Sequence, residues 1–141
     1  MYPIEILLVE DNPGDVRLMR EALRESKIYN NLNVAKDGIE AMDYLRGESV
    51  LPDIILLDLN MPRMSGHEVL REIKHDRELA NIPVVVLTTS QDERDIEMAY
   101  ELHACCYINK PIDMDQFLKI VKTIENFWFS IVKLPHTHEW R

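Results

Sequence analysis

Several apolar runs in this chain end on groups that bind metal or move charge. "EILLVED" closes on Glu10 and Asp11, "IILLD" on Asp58, "VVVLTT" on Thr88 and Thr89, and "CCYINKP" on Lys110 and Pro111. An ionised carboxylate set directly after residues 54–57 is costly at the edge of an apolar core unless something pairs with it or uses it. Three carboxylates within about 5 Å of one another would repel by a few kcal/mol per pair. A hard divalent cation removes that conflict, and an oxygen-only donor set without Cys or His suits Mg²⁺ or Mn²⁺. An aspartate beside such a cation can attack phosphorus, because the metal neutralises charge on the transferring oxygens. Thr88 could then donate to one phosphoryl oxygen and Lys110 could pair with another. The chemistry that fits the set is phosphoryl transfer onto an aspartate.

Taken singly, each of these residues has an ordinary reading as a turn, a cap or a solvated charge. Their joint occurrence gains weight from the elements that position them. Strand-like runs at 4–9, 32–35, 53–57, 84–87 and 105–108 alternate with helical patterns. The helical stripes are Val16, Met19 and Leu23; Ile39, Met42 and Leu45; Val69, Leu70 and Ile73; Ile96, Ala99 and Leu102; and Phe117, Leu118, Val121 and Ile124. Asn12 before Pro13 reads as an N-cap and first helical residue, with Asp15 near the positive helix end. Repeated βα units with continuous apolar strands predict one doubly wound α/β domain, a parallel sheet covered by helices on both faces. Ligands of such a sheet sit at the carboxyl ends of its strands, where Glu10, Asp11, Lys36, Asp37, Asp58, Thr88 and Lys110 all fall.

Composition narrows the function classes. With 16 basic and 25 acidic residues among 141, the formal charge is −9, so no basic face is expected for nucleic acid. No apolar run is long enough to span a membrane, and the start lacks the pattern of a signal peptide. The cysteines, Cys105 and Cys106, are neighbours and read as reduced core residues, which predicts a cytoplasmic protein. His67, His75 and His103 have no partners at ligand spacing and are not expected to bind metal.

"ILLVEDNPGDVRLM", "IILLDLNMPRMSG", "IPVVVLTTS" and "YINKPID" together resemble the signatures of two-component response-regulator receiver domains, over about residues 3–125. The resemblance implies a flavodoxin-like (βα)5 sandwich with strand order 2-1-3-4-5. It implies that Asp58 accepts a phosphoryl group from a phosphohistidine on a sensor kinase or phosphotransfer protein. Glu10 and Asp11 match the family's acidic pair, and Asn60 the residue whose backbone carbonyl completes the Mg²⁺ shell. Thr88 matches the switch hydroxyl, Tyr107 the switch aromatic, and Lys110 the motif lysine, with Pro111 after it. "VEDNPGDVRL", "CYINKPID" and the tail "FWFSIVKLP" are similar to single-domain regulators paired with phytochrome-type histidine kinases. His103 departs from the glycine that many relatives carry in the turn before the fifth strand.

A phosphatase using an aspartate nucleophile would place it after the first strand with an acid two residues on; here Asn60 holds that position. A flavin carrier would need a phosphate-cradling loop where "EDNPGD" stands. An adaptor that binds partners without phosphorylation is the remaining alternative to a phosphorylated regulator. The receiver, residues 1–125, leaves no room for an output domain, so signalling through protein contacts is expected, with no activity beyond its own phosphoryl transfer and autodephosphorylation. Residues 126–141 form an extension. Phe117, Ile120, Ile124, Phe127, Ile131 and Leu134 recur at steps of three and four, a heptad-like seam that predicts a homodimer. Leu118, Val121 and Trp128 occupy the other face, toward the sheet.

Overall fold

The computed structural model describes residues 3–25, 29–47, 50–61, 63–88, 93–101 and 106–109, together with 115, 116, 118, 119, 122 and 126. Strands β1 (Ile4–Val9), β2 (Asn30–Ala35), β3 (Ile54–Asp58), β4 (Val84–Thr88) and β5 (Cys106–Asn109) alternate with helices α1 (Pro13–Glu25), α2 (Gly38–Arg46), α3 (Gly66–His75) and α4 (Glu93–Glu101). All strand pairs are parallel, and the order is β2-β1-β3-β4-β5. The alternation of strands and helical stripes therefore predicts the described architecture correctly, with strand ends moved by one or two residues.

Side-chain alternation divides the core into two layers. Leu7, Val9, Ile55, Leu57, Val84 and Val86 pack with Ala41, Met42 and Leu45 of α2 and Val69, Leu70 and Ile73 of α3. Ile4, Ile6, Leu8, Ile54, Leu56, Val85 and Leu87 pack on the other face with Met19, Ala22 and Leu23 of α1. Every residue of β3 is buried, as a central parallel strand with both faces covered requires. Each fully buried Leu or Ile contributes about 1.5–3 kcal/mol.

Two apolar residues depart from the sequence reading. Ile39, placed on the α2 stripe, is 41% exposed; α2 starts at Gly38, so Ile39 falls in its first turn. Leu118, expected to face the sheet, is 37% exposed. That segment carries apolar residues on two faces, and spacing alone cannot choose which turns inward. Phe117, Ile120, Ile124, Phe127, Ile131, Leu134, Val121, Trp128, Leu102 and His103 lie outside the described residues.

Close approach of backbones sets the position of α3. A Cβ on Gly66 would meet the Asp58 carbonyl oxygen and come within 2.5 Å of Leu59 Cα. The Gly66 N–H donates to the Leu59 carbonyl at 3.1 Å, and Ser65 caps the helix by accepting from the Glu68 N–H. Gly66→Ala must push the α3 N-terminus off the end of β3. We expect a loss of about 1–3 kcal/mol, as for an overpacked core, measured by urea unfolding; an unchanged midpoint would show that the two backbones separate freely.

Candidate functional site

The register explains how two buried carboxylates meet. Val9 pairs with Leu57, so the next residues, Glu10 and Asp58, emerge side by side from adjacent strands, whose spacing is about 4.8 Å. The Glu10 N–H extends the ladder by donating to the Ala35 carbonyl at 2.9 Å. Glu10 is 2% and Asp58 4% exposed, while Asp11 faces solvent. One ligand oxygen from each of the three lies within 4.8 Å of the other two. Among the described residues this acidic group is the one arranged to hold a metal ion, and neither His67 nor His75 belongs to it.

Backbone donors orient the buried pair. The Asn60 N–H donates to Asp58 Oδ1 at 3.1 Å, and the Asn12 N–H donates to Glu10 Oε2 at 3.2 Å. Asn12 also caps α1, its Oδ1 accepting from the N–H groups of Gly14 at 2.8 Å and Asp15 at 3.1 Å. The N-terminus of α1 is thereby fixed beside the acidic group, with its partial positive charge near the carboxylates.

The remaining residues expected at the site are placed by backbone only or not at all. Asp58 pairs with Leu87, one residue before Thr88, and Thr88 pairs with Asn109. Tyr107 pairs with Val86. Thr88 and Tyr107 therefore have backbone positions in the sheet near Asp58, while their side chains lie outside the described part. Lys110 and Pro111 lie outside the described residues.

Sequence reasoning placed Asp37 at this end of the sheet but missed its partners. Asp37 follows β2 and caps α2, its Oδ1 accepting from the Glu40 N–H at 2.9 Å. Its Oδ2 accepts from Arg63, from Nε at 2.8 Å and from Nη2 as well. Arg63 stands in the loop between β3 and α3 with φ of 66°, a left-handed conformation uncommon outside glycine and asparagine. The Asp37-Gly38 pair ahead of an apolar periodic run is a helix-start signal that could have revealed the cap. Nothing local to Arg63 announces a partner 26 residues away.

With the geometry established, comparison with known proteins places the chain in a class. Residues 6–122 match the response regulator receiver domain, and the chain belongs to that family, whose members signal through phosphorylation. It is 48% identical to Response regulator Rcp1 of Synechocystis, over 94% of each chain. The solved structure of a phosphorylated cyanobacterial phytochrome response regulator, RcpA, superposes with a TM-score of 0.84 at 50% identity, covering 95% of this chain and 99% of that one. The Mn²⁺-bound form of Rcp1 gives 0.83 at 48% identity, covering 94% and 99%. The three carboxylates form an all-oxygen donor set of the kind that suits a hard divalent cation such as Mg²⁺ or Mn²⁺. Among the described residues no helix is long and apolar enough to cross a membrane.

The Asp37 carboxyl is held below its usual value of 3.8, first by the Glu40 N–H and then, against the opposing effect of burial, by the Arg63 guanidinium. A depressed folded pKa stabilises the fold above the unfolded value, and that contribution disappears as pH falls through the lower folded value. Asp37→Asn keeps a capping oxygen and loses the charge. The stability gap between wild type and this variant should be widest near pH 7 and close below about pH 4, followed by circular dichroism in urea. A gap that stays constant down to about pH 2 would contradict the assignment.

Proposed function

We propose that this protein is a response regulator whose Asp58 receives a phosphoryl group from a phosphohistidine on a phytochrome-type sensor histidine kinase, in the cytoplasm. The observation that carries the reading is the meeting of Glu10, Asp11 and buried Asp58 within 4.8 Å at the carboxyl end of the sheet. The likeness to RcpA and Rcp1 along almost their whole lengths supports the pairing with a phytochrome-type kinase.

Glu10, Asp11, Asp58 and the Asn60 backbone carbonyl would hold Mg²⁺ or Mn²⁺. When bound, the cation neutralises charge on the transferring phosphoryl oxygens. The chain itself supplies nucleophile and orientation. Asp58 forms the new P–O bond as the P–N bond of the phosphohistidine breaks and the imidazole leaves with its electron pair. The Asn60 N–H holds Oδ1 so that the carboxylate meets phosphorus in one orientation. Thr88 and Lys110 draw the added charge toward β4 and β5, and Tyr107 follows the displacement of Thr88 to change the outer face of the sheet edge. The protein catalyses only its own phosphorylation and dephosphorylation and signals by contact with other proteins.

With Mg²⁺ and a phosphorylated phytochrome-type kinase, the chain should gain one acid-labile phosphoryl group. Asp58→Asn should abolish it, read by intact-protein mass spectrometry. Equal labelling of that variant would overturn the acceptor assignment, and equal labelling by unrelated kinases would overturn the pairing.

The receiver also forms a twofold dimer through residues 126–141 and the seam of Phe117, Ile120, Ile124, Phe127, Ile131 and Leu134. Identical apolar seams can pair with themselves and leave water together. Sedimentation at tens of micromolar should give a dimer, and truncation after Glu125 a monomer that still binds Mn²⁺. A full-length monomer, with and without beryllofluoride, would refute the dimer.

A further inference from the structure

Asn60, which hydrogen-bonds Asp58, sits at the start of the β3–α3 loop, which is also tied to α2. Arg63 reaches from the middle of that loop to Asp37, while Met64 packs against Gly38 so tightly that a Cβ there would stand 2.6 Å from Met64 Cβ. Met61 and Met64 both rest on the core layer beneath. Asp37 thus performs two tasks with one carboxylate. Oδ1 starts α2, and Oδ2 holds the loop that leads back to Asn60. The Arg63 side chain is 55% exposed and the Asp37 side chain 9%, so the anchor is the buried partner and the loop is what it holds. A planar fork gripping one carboxylate restricts direction as well as distance.

We propose that Arg63 and Asp37 form a positioning pair for the phosphoacceptor site, fixing the β3–α3 loop so that the Asn60 backbone keeps its alignment with Asp58 and the bound cation. This rests on the assignment of Asp58, Glu10 and Asp11 as the metal-assisted acceptor site. Neither residue touches the phosphoryl group; both act through the loop. Arg63 makes this contact from a left-handed backbone, φ of 66°, which L side chains rarely adopt.

The pair separates from simple fold support because its variants are benign to the backbone. Glycine adopts φ of 66° without penalty, so Arg63→Gly removes the guanidinium and relaxes the loop. Asp37→Asn keeps the cap. Mn²⁺ binding to the full chain, read by electron paramagnetic resonance of the free ion, should weaken about tenfold in each variant, as when a residue that orients metal ligands is lost. The double variant should be no weaker than either single one, since both remove one interaction. Arg63→Lys should recover part of the affinity, and the Tm of Arg63→Gly should be held or raised. Affinities within twofold of wild type, losses that add in the double variant, or an Arg63→Gly loss matched by a fall in its Tm would each overturn the pair. Should wild type itself fail to bind Mn²⁺, or bind it as well after Asp58→Asn, the site assignment falls and the pair with it.

Discussion

Like charges concentrated at one end of the sheet are the constraint around which this structure is arranged. Glu10 and Asp58 are both buried and, with Asp11, bring their oxygens within 4.8 Å of one another. At an effective dielectric near 20, two such charges repel by about 3 kcal/mol. The fold bears that repulsion because its core is elsewhere: β1 and β3 lie among buried Ile and Leu on both faces, and their apolar contacts fix where the carboxylates emerge. A hard divalent cation at this site would relieve that repulsion.

The neighbouring elements hold these charges in place without neutralising them. Asn12 and Asn60 offer backbone N–H groups to Glu10 and Asp58, and the capped start of α1 adds its dipole. On the far side, α3 approaches the Asp58 backbone so closely that only glycine fits at position 66. The end of β3 is thus in close backbone contact with α3, and Arg63 of the β3–α3 loop is bonded to Asp37 at the start of α2.

Exposed ion pairs contribute little to stability on their own. The Arg46–Glu72 pair, with both partners about half exposed, is of that kind and ties α2 to α3 only at the surface. Asp37 with Arg63 differs, because one partner is buried and already serves as a helix cap. Its value lies in geometry: it decides where a loop runs, beside residues whose oxygens must converge on one ion.

The sequence by itself determined the succession of strands and helices along the chain, the parallel layered class, and the three carboxylates, because these follow from short-range periodicity and from what succeeds each apolar run, whereas the sheet order came only from the family resemblance. It also identified the Asn12 cap, a signal carried by adjacent residues. Only the tertiary structure decided which residues stand across from one another. That Val9 pairs with Leu57, and so sets Glu10 beside Asp58, is a register fixed by packing two strands against two layers of helices. That Gly66 lies against Asp58, and Arg63 reaches Asp37, depends on contacts between segments distant in sequence, for which no local pattern exists. Ile39 and Leu118 show the same limit from the other side: spacing tells that a residue is apolar on a helix face, and only the packed neighbours tell whether that face meets the core.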